Sequence, residues 1–310
     1  MNDRLALGLD LGGTKMEAVV VRLGDGTFDV VTRRRVPTER DRGYDAVLGT
    51  ACDLIRATAE SAGCDARDIP IGVGMPGSIT RREGLVKNSN TVCLNGRPFR
   101  SDLIAKVGTT IHFENDANCF ALAEARLGAA REHKDGVVFG VIMGSGVGGG
   151  VVTFGRVWAG PQGLGGEWGH HAVGPCGISP RPTCYCGQQG CVELYMSGVG
   201  VEREYERRSS AKLPLSEIAL VRDRDDHARA TIDEMLEAFG RGLADVIDIL
   251  DPSAIVLGGG VSNLDFLYTE GRARVARYVF NDELTTPILR HALGDSAGVL
   301  GAALLDESMG

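Results

Sequence analysis

Short apolar runs rich in β-branched residues alternate along this chain with longer segments in which apolar residues recur at helical spacing. The runs predict strands at 5–11, 16–23, 28–36, 71–75, 137–143, 150–154 and 254–258. The longer segments predict helices at 45–62, 117–128, 231–250 and 263–280. In the third of these helices, Ile232, Met235, Leu236 and Phe239 fall on one face. Alternation of this kind predicts an α/β fold.

Two pairs of predicted strands enclose glycines. RLALGLDL and KMEAVVVRL flank the turn GGT at 12–14, and VIMGSGVGGGVV occupies 141–152. Gly144, Gly146 and Gly149 have the G-x-G-x-x-G spacing of dinucleotide-binding turns, but such a turn opens a helix and this one leads into a strand. An NAD enzyme is therefore disfavoured. Each unit is predicted to be a β-hairpin whose backbone N–H groups approach phosphate oxygens, and a plain tight hairpin is the alternative.

A third glycine cluster, IVLGGGVSN at 255–263, also follows an apolar strand. It is a weaker candidate for contact with a nucleotide, because glycines there could simply end the strand.

Three cysteines stand close together in CYCGQQGC at 184–191, and His170 lies 14 residues upstream of the first. Cys184, Cys186, Cys191 and His170 are predicted to form a structural Cys3His zinc site. His171 and Cys176 are rival ligands, and buried cysteines or a redox pair are the alternative without metal.

Length, charge and cysteine content narrow the class of protein. A chain of 310 residues favours two domains. With 33 basic and 41 acidic residues, the net charge of −8 disfavours nucleic acid as a partner. We expect no membrane span and no secretory signal, because no long apolar run appears. Eight cysteines without a signal favour a reducing cytosol, hence a cytoplasmic protein.

Several motifs occur together in one order: DLGGTK at 10–15, GVGMPG at 72–77, ENDANC at 114–119, GSGVGGG at 144–150, EWGH at 167–170, CYCGQQGCVE at 184–193, IVLGGG at 255–260 and GDSAGVLGAA at 294–303. As a set they resemble the ROK family of bacterial sugar kinases and related repressors. The segments 39–47, 76–91 and 94–99 look most like its fructokinase/mannokinase branch.

The resemblance implies the actin-like ATPase fold, with two ribonuclease-H-like domains and a cleft between them. The small domain is expected at 1–115 with a return of the chain at about 292–310, and the large domain at 116–291. Dimers are common in the family, so a homodimer is one expectation.

The family's motifs also imply roles for single residues. Asp116 is expected to act as general base, although Asn115 and Asp116 could instead cap the following helix. Asp10 is expected to hold Mg²⁺ through water. The predicted ATP and Mg²⁺ site comprises Gly8, Asp10, Gly12, Gly13, Thr14, Lys15, Gly144, Ser145, Gly146, Val147, Gly148, Gly149, Gly150, Gly258, Gly259 and Gly260.

The predicted sugar site comprises Gly77, Asn115, Asp116, Glu167, His170 and Glu193, with Asn88 and Asn90 as further candidates. His170 would bind zinc through one ring nitrogen and the sugar through the other, whereas Glu193 could instead be a helix-start carboxylate.

The implied function is an ATP-dependent kinase for the 6-hydroxyl of fructose or mannose, with ATP, Mg²⁺ and structural Zn²⁺ as cofactors. An N-acetylglucosamine, N-acetylmannosamine or glucose kinase is the alternative within the family. A sugar-responsive repressor or sensor is the non-enzyme alternative, and the first strand begins near Leu5 without room for a helix-turn-helix.

Overall fold

The computed structural model describes residues 4–24, 27–80, 82–173 and 183–308. Its strands are β1 (Arg4–Leu11), β2 (Lys15–Leu23), β3 (Phe28–Pro37), β4 (Ile71–Met75), β5 (Ser78–Ile79), β6 (Val86–Lys87), β7 (Ile111–Asn115), β8 (Val137–Met143), β9 (Val147–Thr153), β10 (Arg156–Val157), β11 (Ala254–Gly258) and β12 (Ile288–Arg290). Its α-helices are α1 (Tyr44–Ser61), α2 (Phe99–Val107), α3 (Asp116–Arg126), α4 (Val192–Met196), α5 (Gly198–Ser209), α6 (Leu215–Val221), α7 (Asp226–Leu250), α8 (Glu270–Ala276), α9 (Ala297–Ala303) and α10 (Leu305–Ser308). The predicted α/β class is confirmed.

The chain forms two compact units. The first comprises Met1–Asp135, Gly150–Gly165 and Ala292–Gly310, and the second comprises Gly136–Gly149 and Gly166–His291. The first unit thus contains α3, residues 150–165 and the C-terminal segment from Ala292.

Close helix contacts explain why α3 and α9 belong to the first unit. A Cβ on Gly301 would lie 1.8 Å from the backbone oxygen of Cys119, so α9 lies against α3 at a distance that only glycine allows. Glu124 of α3, which is fully buried, also accepts backbone N–H groups from Ala129, Ala292 and Leu293. These bonds tie the C-terminal segment to α3.

The sheet of the first unit has the strand order β3-β2-β1-β4-β7. β1 is antiparallel to β2 and parallel to β4, and β4 is parallel to β7. Helices α1 and α2 cover one face of the sheet in a core that includes Leu7 and Leu9 of β1 and Phe99 of α2. On the other side, the glycines of β1 and β4 admit α9, because a Cβ on Gly72 would lie 1.9 Å from the backbone oxygen of Ala302. This sheet fixes where β1, β4 and β7 end.

The other five-stranded sheet has the order β10-β9-β8-β11-β12, with β8, β11 and β12 parallel. In the second unit, α7 buries one long face that includes the predicted Ile232, Met235, Leu236 and Phe239. The helix begins at Asp226, before the predicted residue 231, because the carboxylate of Asp225 accepts the N–H groups of His227 and Ala228.

Two predicted elements of the second unit have different bounds. β9 begins at Val147 instead of residue 150. Gly149 therefore lies within the strand, where it packs closely against Trp168. Of the predicted helix at 263–280, only Glu270–Ala276 is α-helical, and Asp265–Leu267 forms a 3₁₀ turn. No helix among the described residues is long and apolar enough to span a bilayer.

Candidate active site

The first glycine turn joins β1 to β2. The register Leu11↔Met16 leaves residues 12–15 at the tip, and the N–H of Gly12 donates to the carbonyl of Lys15 at 3.0 Å. Thr38 stabilises the turn through two hydrogen bonds. Its hydroxyl donates to the carbonyl of Gly12 at 2.7 Å, and its N–H donates to the carbonyl of Thr14. Thr14 and Lys15 are exposed. The predicted glycine-tipped hairpin is confirmed, and its outer surface faces solvent.

Asp10, near the end of β1, is held in an unfavourable environment for a carboxylate. Its pKa is raised from 3.8 to about 7, first by burial and then by the negative charges of Asp116 and Glu17, while Lys15 lowers it. The start of α9 closes this pocket, because a Cβ on Gly298 would lie 3.3 Å from an oxygen of Asp10. A buried carboxylate with raised pKa beside a second carboxylate suits a divalent cation, whose charge would offset both.

Asp116 is the first residue of α3. The Asn115 side chain caps this helix by accepting the N–H of Ala117 at 2.9 Å, and Asp116 accepts the same N–H at 2.9 Å. The Asn115 amide also donates to the carbonyl of Gly77 at 3.0 Å, and Gly77 has a φ of 80°. The structure therefore brings together the predicted Gly77, Asn115 and Asp116. Helix capping and a catalytic role are compatible for Asp116, since its electrostatic effect on Asp10 places it in the same polar site.

The second glycine turn is shorter than predicted. It consists of Gly144, Ser145 and Gly146, closed by the N–H of Gly144 donating to the carbonyl of Gly146 at 2.9 Å. The N–H of Gly198 donates to the carbonyl of Gly144 at 2.8 Å, so the start of α5 supports the turn. The exposed phosphate-binding surface predicted for Gly144–Gly150 is accordingly reduced to its first three residues.

Several other predicted phosphate contacts are corrected by burial. The N–H of Val147 donates to Glu193 at 3.0 Å, so it is already engaged. Gly148 lies within β9, where its carbonyl accepts the Trp168 indole N–H at 3.0 Å. Gly8, Gly149 and Gly150 are buried inside strands where close packing requires glycine, and Gly258 is buried at the end of β11. Burial gives these glycines a packing role, which sequence spacing alone does not distinguish from phosphate binding.

A cavity of about 990 Å³ opens beside Gly144 and Ser145 in the second unit. Gly260 lies in its wall, and the neighbouring Gly259 has a φ of 80°, which favours glycine. Sequence analysis missed most of the lining, which comes from α5, α6 and the 3₁₀ turns after β11 and includes Gly198, Glu202, Leu215, Leu220, Leu264 and Phe266. An apolar wall reached from a glycine turn has the composition expected around a nucleotide base and ribose.

Four predicted zinc ligands lie together in the second unit. The ligand atoms of His170, Cys184, Cys186 and Cys191 are all within 4.8 Å of one another. The Sγ–Sγ distance of Cys186 and Cys191 and the distance from Cys184 Sγ to His170 Nδ1 are both 3.6 Å. Tetrahedral Zn–S bonds of about 2.3 Å place ligand atoms about 3.7 Å apart, so the residues fit Zn²⁺.

One of the two rival zinc ligands, His171, is not part of this cluster. His171 Nε2 instead lies 3.7 Å from Asp245, and burial lowers the pKa of His171. Cys176 falls in residues 174–182, outside the described residues. Burial raises the pKa of Cys191 to about 12, whereas the backbone N–H of Gln188 lowers that of Cys186. A cation would favour the thiolate form of both.

The second ring nitrogen of His170 faces a polar group that the sequence did not reveal. His170 Nε2 lies 2.8 Å from the hydroxyl of Tyr185, whose pKa is raised to about 12 by burial and then by nearby charges that include Glu193 and Glu167. Glu193 is the helix-start carboxylate of α4 and also anchors β9 through Val147. The second unit thus groups Glu167, His170 and Glu193, as predicted.

Comparison with known proteins identifies the origin of these motifs. The ROK family model matches residues 6–308. The chain belongs to the ROK family. Its sequence is 34% identical over 305 residues to N-acetyl-D-glucosamine kinase of Escherichia coli strain K12, covering 96% of this chain and 98% of the relative.

Two solved ROK structures support the same fold. The ROK hexokinase of Thermus thermophilus is 34% identical with a TM-score of 0.85, covering 97% of each chain. A ROK glucokinase of Streptomyces griseus, in complex with glucose and AMPPNP, is 29% identical with a TM-score of 0.75, covering 97% of this chain and 98% of that chain. The predicted actin-like ATPase fold is confirmed, and sugar kinase activity is supported.

Proposed function

We propose that this ROK protein transfers the γ-phosphate of ATP to the 6-hydroxyl of a hexose, with Asp116 as general base. The observation that carries this proposal is the juxtaposition of Asp10 and Asp116 beside the Gly12–Gly13 turn. A carboxylate that accepts the hydroxyl proton and a second that holds a cation near the phosphates are the groups that phosphoryl transfer requires.

Magnesium and ATP fit the residues of the two units. Asp10 would hold Mg²⁺ through water, and the metal would neutralise charge on the phosphates. The phosphates would be contacted at the β1–β2 turn by Gly12, Gly13, Thr14 and Lys15. Considered separately, the cavity beside Gly144 and Ser145 would take a nucleotide base, with Gly146, Gly259 and Gly260 nearby.

We propose N-acetylglucosamine as the first sugar to test. The expected preference for fructose or mannose is not supported by the relatives named above, and the relative at 34% identity over nearly the whole chain is an N-acetyl-D-glucosamine kinase. A cavity of about 330 Å³ lies beside Gly77 and Asn115 in the first unit. Its wall includes Met75, Ile79 and Phe113, which suit the methyl of an acetamido group. Glucose is the second candidate.

Zinc would act in this proposal as a support for the sugar-binding segment. With Nδ1 of His170 among the thiols, the metal would fix the imidazole so that Nε2 could bond a sugar hydroxyl. Glu167 and Glu193 would accept hydrogen bonds from neighbouring sugar hydroxyls. A sugar analogue that lacked one of these hydroxyls would leave a carboxylate unpaired and would therefore be rejected.

The deciding experiment follows ADP formation with MgATP and N-acetylglucosamine, N-acetylmannosamine, glucose, fructose or mannose at equal concentrations. We expect kcat/KM for N-acetylglucosamine to exceed that for each other sugar by tenfold or more, about 1.4 kcal/mol of transition-state binding. Preference for fructose or mannose would reverse the choice of sugar. Absence of turnover with all five, while MgATP binds, would contradict the proposed activity on these hexoses.

A further inference from the structure

Arg40 places a positive charge at the first glycine turn that the sequence motifs did not include. A Cβ on Gly13 would lie 3.5 Å from Nη1 of Arg40 and 3.4 Å from Oδ1 of Asn90. One nitrogen of the guanidinium therefore lies beside Gly13, where a larger residue would contact it. An arginine in this position can donate paired hydrogen bonds to a phosphate held by the turn.

The backbone around Arg40 is held in an unusual conformation. Arg40–Arg42 form a 3₁₀ turn whose preceding residue, Glu39, has a φ of 60° and a ψ of 26°. A left-handed conformation is unfavourable for a residue with a Cβ, and such strain persists where surrounding contacts enforce it. Thr38, which is fully buried, supplies those contacts through its two hydrogen bonds to the hairpin tip. The 3₁₀ turn and the glycine turn are thus joined through Thr38.

The charge of Arg40 is not strongly committed elsewhere. Its ion pair with Asp41 is 3.9 Å long, and the Asp41 side chain is 99% exposed, so water competes for it. By contrast, the next arginine along the turn, Arg42, pairs with Glu39 at 2.7 Å. Arg40 and Arg42 lie two positions apart in one turn, but they pair with different carboxylates.

We propose that Arg40 binds the terminal phosphate of ATP and stabilises its transfer. This inference rests on the proposed kinase function. The phosphate that moves to the sugar must pass between the cation site at Asp10 and the hydroxyl bonded by Asp116, and both carboxylates lie in the same unit as the Gly13 tip. Arg40 would there offset the charge that spreads over the equatorial oxygens of the transferring group.

The test compares Arg40→Met and Arg40→Lys with the control Arg42→Met, which removes a neighbouring charge from the same turn. Calorimetry gives the dissociation constants of MgATP and MgADP, and steady-state kinetics gives kcat and KM for MgATP. We expect Arg40→Met to weaken MgATP binding at least tenfold with little effect on MgADP, and to lower kcat/KM by 10²-fold or more. Arg40→Lys should recover part of both losses, because it keeps the charge without the paired donors.

Outcomes separate this inference from the proposed function. A ratio of MgATP to MgADP affinity that is unchanged in Arg40→Met would overturn the assignment of Arg40 to the terminal phosphate, whether both affinities fall or neither does. If Arg40→Met does not fold, the ratio of MgATP to MgADP affinity is measured in Arg40→Lys. The inference then requires this ratio to be lower than in the wild type. Turnover of no hexose by the wild type would instead refute the kinase proposal, and the binding ratio would still test Arg40.

Discussion

Replacing Asp10 by asparagine should stabilise the metal-free protein while abolishing kinase activity. The folded protein raises the pKa of Asp10 from 3.8 to about 7. Between those pH values the folded state binds more protons than the unfolded chain does. The free energy of unfolding therefore decreases as the pH rises from about 4 to 7. An uncharged amide at residue 10 removes this penalty.

The size of the effect follows from the same values. Raising a pKa from 3.8 to about 7 corresponds to at most about 4 kcal/mol at pH 8, once the carboxylate is ionised in both states. The gain from Asp10→Asn should shrink towards zero near pH 4, where the folded wild type already carries a protonated Asp10. Mg²⁺ should reduce the gain at pH 8, because it binds the wild-type carboxylate and so stabilises the folded state.

The assay is urea unfolding at pH 5 and pH 8, in chelator and in excess Mg²⁺, followed by circular dichroism. Asp41→Asn is the matched control, because it removes a carboxylate of the same unit whose side chain is 99% exposed. A variant Asp10→Asn that is no more stable than the wild type at pH 8 in chelator would refute the reasoning. So would a gain of equal size at pH 5 and pH 8, since only an ionising group makes the gain depend on pH.

Three further predictions concern Asp116, the zinc cluster and Glu124. Asp116→Asn should lower kcat by about 10²–10⁴ while calorimetric sugar binding with a non-hydrolysable ATP analogue persists, and a nearly active variant would exclude Asp116 as base. Metal analysis should find about one zinc per chain, and Cys184→Ser should lose it and melt at a lower temperature; protein purified without chelator and lacking zinc would contradict the site. Glu124→Ala should cost about 3 kcal/mol in urea unfolding, because it removes the acceptor of three N–H groups, whereas the exposed Glu132→Ala should cost little. Equal costs for the two glutamate variants would show that the C-terminal segment does not depend on Glu124.

Local patterns were sufficient for most strands, the main helices and the grouping of His170 with three cysteines. Continuous apolar runs predicted β1, β2, β4, β8 and β11, because each of these strands is buried along most of its length. The sequence predicted these four residues because three of them stand in one short loop. Only the histidine has to come from another part of the chain. The rival His171 lies beside Asp245 instead, which the sequence did not indicate.

The glycines were the main source of error, because glycine serves several purposes that look alike in sequence. Gly12 and Gly13 stand at an exposed tip, whereas Gly149 makes room for Trp168 and Gly8 makes room for α9. Only tertiary contacts distinguish these uses. The same holds for Arg40, whose position depends on a left-handed Glu39 and a buried Thr38 that no local pattern indicates.

The contact between α9 and the glycines of β1 and β4 has a consequence for how the chain is made. Residues 297–303 leave the ribosome after the whole second unit, yet they cover the glycine face of a sheet built from the first strands. Until then, that face and the buried side of α3 lack their partner, and exposed strands of this kind favour aggregation. The second unit can complete its core during synthesis, whereas the first unit, which contains the proposed catalytic carboxylates, becomes complete last. Newly made protein should therefore gain its nucleotide cavity before it gains activity.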